Sequence, residues 1–189
     1  MNDKLDPAPN YAKAQFSGKI ITITKDEEIA PAMELLKDVR IIGFDTETKP
    51  SFKKGEFYHV SLLQLASDDY ALLFRLHFLK DFELVKILFE DKTIVKTGVA
   101  IRDDIKALQK LFHFTPHGFV ELSDIAKERA LKNFGLKGMT EEILNLTLSK
   151  KAKLSNWEGH ELKHDQLQYA ATDAWIGRKL YQKLNPDHL

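Results

Sequence analysis

The ten residues Ile41-Ile42-Gly43-Phe44-Asp45-Thr46-Glu47-Thr48-Lys49-Pro50 decide how this chain is read. Ile41 to Phe44 is a short apolar run rich in β-branched residues, the pattern of a strand buried on both faces. Alternate side chains of a strand share a face, so Asp45 and Glu47 point the same way at its end, with Thr46 opposite. Two carboxylates beside an apolar run are costly unless a positive charge compensates them. Divalent cations are the usual compensation, because hard cations prefer oxygen ligands. An Asp-x-Glu can equally well solvate a strand terminus, so distant segments have to decide between the two.

Composition narrows the classes. A chain of 189 residues is long enough for one domain with a full core. Lys plus Arg and Asp plus Glu are equal at 28 each, so bulk charge does not advertise a polyanion partner. Nucleic-acid binding would have to come from a local basic patch or from metal ions. The absence of cysteine excludes disulfides, thiolate metal sites and a cysteine nucleophile. No signal peptide and no apolar run of membrane-spanning length is read, so a soluble, cytoplasmic protein without a membrane partner is expected.

Working outward, residues 1–17 are polar and carry Pro7 and Pro9, which predicts a flexible N-terminal arm ahead of a single domain over 18–189. Ile20 to Thr24 reads as a strand. Thr24-Lys25-Asp26-Glu27 fits a capping box before a helix through about Lys37, with Pro31 kinking that helix or starting it late. Lys49 to Tyr58 is a loop whose Lys53 and Lys54 lie close in sequence to the carboxylates and are candidate phosphate contacts. Val60–Ala66 and Tyr70–Phe74, joined by Ser67-Asp68-Asp69, form a hairpin. Helical spacing follows over Leu79–Phe89, then a strand over Thr93–Val99, then a helix carrying Ile101, Ile105 and Leu108. A meander that gives way to alternating strands and helices predicts an α/β fold, a mixed β-sheet flanked by helices.

Two further acidic elements matter. Arg102-Asp103-Asp104 opens the helix after the Thr93–Val99 strand, where the helix dipole by itself favours acids. The spacing does not choose between Asp103 and Asp104. Tyr169 and Asp173 are four apart within a helix over about Asp165–Leu184, so phenol and carboxylate share a face. Ala170, Ala171 and Ala174 are small enough to let that helix approach the sheet closely. Asp45, Glu47, one of Asp103 and Asp104, and Asp173 thus make four carboxylates from three distant segments, with Tyr169 beside the last. Four acids in one pocket repel strongly; two divalent ions, Mg²⁺ or Mn²⁺, would neutralise them. Two such ions roughly 3.5–4 Å apart clamp the attacking and leaving oxygens of a phosphoryl transfer. A tyrosine hydroxyl is protonated near neutrality, which suits it to orient water and relay a proton.

These stretches resemble the three exonuclease motifs of the DEDD superfamily, in the tyrosine-bearing branch (DEDDy) that includes ribonuclease D and the exonuclease domain of the Werner syndrome helicase. FDTET is similar to motif one, with Asp45 and Glu47. VAIRDDIKAL is similar to motif two, and this alignment places the metal-binding acid at Asp104. QLQYAATDAW is similar to motif three, with Tyr169 and Asp173. SLLQLA at 61–66, FVELSDIA at 119–126 and LSNW at 154–157 also match, so the resemblance spans about Gly18 to Leu184. It implies a ribonuclease H-like fold, 3′-5′ exonuclease activity with two divalent ions and nucleoside 5′-monophosphate products. It also implies substrate contacts, which fall loosely on Thr46, Leu63 and Trp157. The chain departs from the branch at His160-Glu161, where an Arg-Pro pair is usual, and at Lys163, where the motif-three helix usually opens with Ser or Thr.

The expected function is therefore a metal-dependent 3′-5′ exonuclease acting on DNA, without a companion helicase or added helical nucleic-acid-binding domain in these residues. RNA trimming of the ribonuclease D kind is the second enzymatic reading. From another class, the chain would be a nucleic-acid-binding module on a dead nuclease scaffold. The intact acid set argues against the module, since a non-catalytic binder gains nothing from four negative charges facing phosphates.

Overall fold

The computed structural model describes residues 10–149 and 151–185. Its strands are β1 (Ala12–Lys13), β2 (Lys19–Ile23), β3 (Ile41–Thr48), β4 (Val60–Ala66), β5 (Tyr70–Arg75), β6 (Val95–Gly98), β7 (Phe119–Glu121) and β8 (Leu146–Thr147). Its α-helices are α1 (Ile29–Glu34), α2 (Glu83–Glu90), α3 (Arg102–Gln109), α4 (Leu122–Glu128), α5 (Leu136–Leu144) and α6 (His164–Leu184). The main sheet runs β2-β5-β4-β3-β6-β7. β3, β4 and β5 form the antiparallel meander, while β6 pairs parallel with β3, β7 with β6, and β2 with β5. It is the mixed sheet expected from the order of the elements.

The strands divide their side chains between two layers. Ile42 and Phe44 of β3, Leu63 and Leu65 of β4, and Leu72 and Phe74 of β5 join α1, α2 and α3 in the larger core. Phe89 of α2 sits among Phe44, Phe114 and Phe119 at centroid distances of 5.0–5.8 Å. Each fully buried chain of this size contributes about 1.5–3 kcal/mol relative to exposure. Across the sheet, α6 packs with α4 and α5 through Leu122, Met139, Ile176 and Leu180. A Cβ built on Gly43 would fall 1.9 Å from the Ala174 carbonyl oxygen, so α6 lies directly on the backbone of β3.

Several boundaries differ from expectation. Glu28, not Glu27, closes the turn before α1: its carboxylate accepts the amides of Thr24 at 2.8 Å and Lys25 at 3.1 Å. Pro31 then falls in the first turn of α1, where its missing N–H would have had no partner. The helix expected from Leu79 begins only at Glu83, behind a 3₁₀ turn over Leu76–Phe78. Of the expected arm over 1–17, residues 1–9 lie outside the described residues. From Ala12 the chain is tied down: β1 pairs parallel with β8, and Ala14 and Phe16 are buried. At the start of α6, Lys163 cannot cap with its side chain. Gln166 Oε1 instead accepts the Lys163 amide at 3.0 Å.

The contact at Gly43 is testable. Gly43→Ala sets a methyl group against backbone, which cannot move aside as a side chain can, so a loss of about 3 kcal/mol or more is expected in urea unfolding. Wild-type stability in that variant would mean that α6 stands off from β3.

Candidate active site

Because β3 alternates, Gly43, Asp45 and Glu47 face α6 while Phe44 and Thr46 face the opposite layer. The close approach at Gly43 brings the next turn of α6 over the end of β3. There Asp45, Glu47 and Asp173 each offer a carboxylate oxygen, and these oxygens lie within 4.8 Å of one another. Asp104, in the first turn of α3, comes in from the Thr46 side. Thr46 Oγ1 donates to its Oδ1 at 2.5 Å, and it stands outside that trio of acids. Asp103 is directed to solvent, its side chain 93% exposed and paired with Lys106 at 3.2 Å. The structure thus separates the two aspartates that spacing left open.

Crowding acids in a half-buried site changes their titration. Burial, then the carboxylates of Asp173 and Asp104, hold the Asp45 carboxyl well above its ordinary range. Glu47 is pushed up to about 9, first by burial and then by Asp45, Asp173 and Asp104. Burial raises Asp173 to about 7 against a hydrogen bond from Tyr169, and also raises Asp104 against the bond from Thr46. The Tyr169 hydroxyl is driven upward too, by burial and by the acids around it, so it stays protonated and donates to Asp173. An all-oxygen set that binds protons this readily for want of a counter-charge fits hard divalent cations. Lys153 supplies the nearest opposing charge, felt by Glu47 and Asp173.

Asp45, Glu47 and Asp173, but not Asp104, line a cleft of about 480 Å³ that also takes in Gly135 to Gly138 at the start of α5. Tyr169 of α6 lines the same cleft. Its ring lies 6.1 Å from that of Trp157, and Leu62, Leu73, Ala152 and Ala170 complete the packing beneath.

The other residues expected to meet substrate are distributed differently. Leu63 is fully buried in the core on the opposite face, because β4 presents Leu62, the partner of Glu47, toward α6. Trp157 is also fully buried and supports Tyr169 from below, away from the cleft. Thr46 lines the cleft but spends its hydroxyl on Asp104. Lys53 and Lys54 are exposed in the β3–β4 loop and do not line the cleft.

Two contributors are not legible in the sequence. Lys153 lies just before the LSNW stretch, and only the fold shows which way it faces. Glu121 accepts the amides of Ala100 and Ile101, both at 2.8 Å, and so fixes the turn from β6 into α3 where Ala100 adopts φ 62°. That turn sets the height of Asp104. The FVELSDIA stretch contains the signal, as an acid at a strand end, but its partners are twenty residues away.

Comparison with known proteins gives a consistent picture. Residues 20–188 match a family model described as 3′-5′ exonuclease. The chain is 37% identical over 155 residues to the mouse bifunctional 3′-5′ exonuclease/ATP-dependent helicase WRN, a match that covers 79% of this chain and 11% of that protein. It is 32% identical over 193 residues to a 3′-5′ exonuclease of Arabidopsis thaliana, covering 94% of this chain and 67% of the relative. The fold superposes on Escherichia coli RNase D, an exoribonuclease involved in structured RNA processing, with a TM-score of 0.81 and 23% identity. That likeness takes in 90% of this chain and 45% of the RNase D chain. No helix among the described residues is long and apolar enough to cross a membrane.

The titration of the trio has a measurable consequence. Asp173, raised to about 7 from an ordinary 3.8, keeps its proton in the fold where the unfolded chain has lost it. The native state then binds more protons, so in metal-free protein this group makes stability fall as pH rises through that interval. Asp173→Asn removes the penalty. Its advantage over wild type in chelator should be small near about pH 4 and grow to on the order of 4 kcal/mol by about pH 8. An advantage that shrinks with pH would place the Asp173 carboxylate outside the cluster.

Proposed function

The chain belongs to the 3′-5′ exonuclease family, and on that premise we propose that it hydrolyses phosphodiester bonds at the 3′ end of DNA, releasing nucleoside 5′-monophosphates. The observation that carries the reading is the trio of carboxylates within 4.8 Å beside a protonated tyrosine. Asp45, Glu47 and Asp173, with Asp104 across β3, would hold two divalent cations, Mg²⁺ or Mn²⁺. When bound, such ions neutralise the acids and supply Lewis-acid polarisation to the phosphoryl group and to water.

The remaining steps belong to the chain's own residues. Tyr169 keeps its proton and donates a hydrogen bond to Asp173, which leaves a lone pair on the phenol oxygen to accept a hydrogen bond from the attacking water. That contact orients the water for in-line attack, and the high pKa of the phenol suits it to hold a proton rather than to strip one. Asp173 in turn fixes the phenol. Thr46 holds Asp104 by a hydroxyl bond, and Lys153 offsets charge on the open side of the trio.

DNA is favoured by the 37% identity to the mouse helicase-exonuclease, although the chain spans only 11% of that protein. The likeness to RNase D supports RNA as the second substrate reading. End-labelled DNA and RNA strands, incubated with manganese, magnesium or chelator, decide between the two.

Hydrolysis should require added divalent metal, and Asp45→Ala or Asp173→Ala should abolish it while leaving a folded protein, since losing a clustered acid relieves repulsion. Asp104→Asn should also remove activity, whereas Asp103→Asn should stay within about tenfold of wild type. Full turnover in excess chelator sinks the two-metal reading, and the reversed aspartate pattern shifts the site by one residue.

Tyr169→Phe separates chemistry from architecture. It keeps the ring against Trp157 and deletes the hydroxyl. Turnover should fall by roughly 10²–10⁴, the range for a positioned proton-transfer group, with little change in melting temperature. A purely structural tyrosine predicts the opposite: near-normal turnover and a stability cost on the order of 1 kcal/mol.

A further inference from the structure

The β3–β4 loop carries a feature that the acid cluster does not use. Phe52 is 79% exposed and Phe57 is 94% exposed, the two most exposed large apolar side chains among the described residues. Single exposed apolar residues are ordinary, but these two bracket Lys53, Lys54, Gly55 and Glu56 at the tip of one loop. Gly55 holds φ at 91°, with no other atom within 4 Å of where a Cβ would stand, so the tip is open. The root of the loop is pinned instead. Lys49 pairs with Glu158 at 3.3 Å and lies 4.3 Å from the centre of the Tyr58 ring.

Chain geometry limits how far both rings can stand from the acids. Phe52 is five residues beyond Glu47, which bounds their Cα separation at about 18 Å. Phe57 is three residues before Val60, which pairs with Thr48, a bound of about 11 Å. Two exposed aromatic faces flanking Lys53 and Lys54, whose charge outweighs that of Glu56 in the same stretch, on the loop leaving the strand that bears Asp45 and Glu47, suit a polyanion with flat faces. A protein or a bilayer would use the apolar rings but gains nothing from their placement beside the acids. Every nucleobase has a π-face, so stacking on such rings tolerates any sequence, and it requires unpaired bases.

We infer that Phe52 and Phe57, with Lys53 and Lys54, form a stacking platform for single-stranded nucleic acid upstream of the terminal nucleotide. This rests on the exonuclease reading and adds its substrate class: the chain takes a single-stranded 3′ tail and does not need a paired duplex end. Phe52 and Phe57 bind and do not take part in the hydrolysis itself. A substrate too short to reach the loop should be indifferent to them.

The test uses the full chain, with Phe52→Ala/Phe57→Ala and Lys53→Ala/Lys54→Ala double variants, and melting temperatures measured beside the kinetics. On single-stranded oligothymidylate of about twelve nucleotides, the aromatic variant should raise KM about tenfold or more with kcat little changed. On a 5′-phosphorylated dinucleotide the same variant should match wild type. In the lysine variant, the dependence of log KM on log salt should be shallower by ~0.7 for each phosphate that the lysines no longer neutralise. Wild-type KM on the long strand in the aromatic variant overturns the platform. So does an equal loss on the dinucleotide, which would mean that the site itself is disturbed. Flotation of wild-type protein, but not the aromatic variant, with anionic phospholipid vesicles at unchanged nuclease KM would instead assign the loop to a membrane and overturn the inference. If wild type hydrolyses neither substrate with any divalent metal, the exonuclease reading has failed and not the platform alone.

Discussion

The contact on which the rest depends is the seating of α6 against the backbone of β3. It is permitted by an absence: at Gly43 a single methyl group would reach the Ala174 carbonyl. The same economy recurs at Gly177, where a Cβ would stand 3.0 Å from the Thr97 carbonyl oxygen. With Ala170, Ala171 and Ala174 buried between them, α6 presents a smooth face to the sheet. Apolar packing by Ile176, Leu180 and Leu184 drives the docking, and docking places Asp173 against Asp45 and Glu47. Folding energy gained along the C-terminal half of the helix therefore offsets electrostatic repulsion concentrated near its middle. The repulsion is also what makes the trio receptive to hard cations, so cost and function have one origin.

Tyr169 stands on a foundation built from elsewhere. Trp157, Leu62, Leu73 and Ala152 pack under it, and Trp157 belongs to the segment leading into α6. That segment is clamped from β5. The guanidinium of Arg75, almost fully buried, donates to the backbone carbonyls of Gly159 and His160. The cation that orders the loop at His160-Glu161 thus comes from the sheet. Lys153 rides on the same segment, so one clamp steadies both the support of the phenol and the counter-charge of the acids.

What could be read from the sequence follows the range of the interactions involved. The alternation that put Asp45 and Glu47 together with Thr46 opposite is a property of three consecutive residues, and it held. The Tyr169–Asp173 pair is a property of one helical turn, and it held as well. Glu28 replaced Glu27 because a cap is decided by which side chain reaches two free amides, a difference of one residue that pattern does not resolve. Leu63 was expected at the site, yet Leu62 faces it. Which face of β4 meets α6 depends on its register with β3, which pairs Leu62 with Glu47 and Leu63 with Thr46. Trp157 looked like a surface contact because nothing local reveals that α6, β4 and β5 close over it. Glu121 and the β1–β8 pair were invisible for a related reason: their partners lie far off in sequence, and two-residue strands carry no periodicity.

Thr46 shows how the two scales combine. Alternation turns it away from the trio, into the layer from which α3 approaches, and its hydroxyl there meets Asp104 at 2.5 Å. The four acids are accordingly not equivalent. Asp45, Glu47 and Asp173 stand on the α6 side, where burial raises all three and Asp173 further raises Asp45 and Glu47, whereas Asp104 is raised by burial and relieved by a neutral donor. Asp45 and Glu47 both feel the two groups, since each carboxyl is raised by Asp173 on one side and by Asp104 on the other. Through this pair, charge on one face of β3 acts on the other. A cation bound at Asp45 would lower the cost of ionising both neighbours at once, so occupation of one side of the strand favours ionisation, and hence cation binding, on the other.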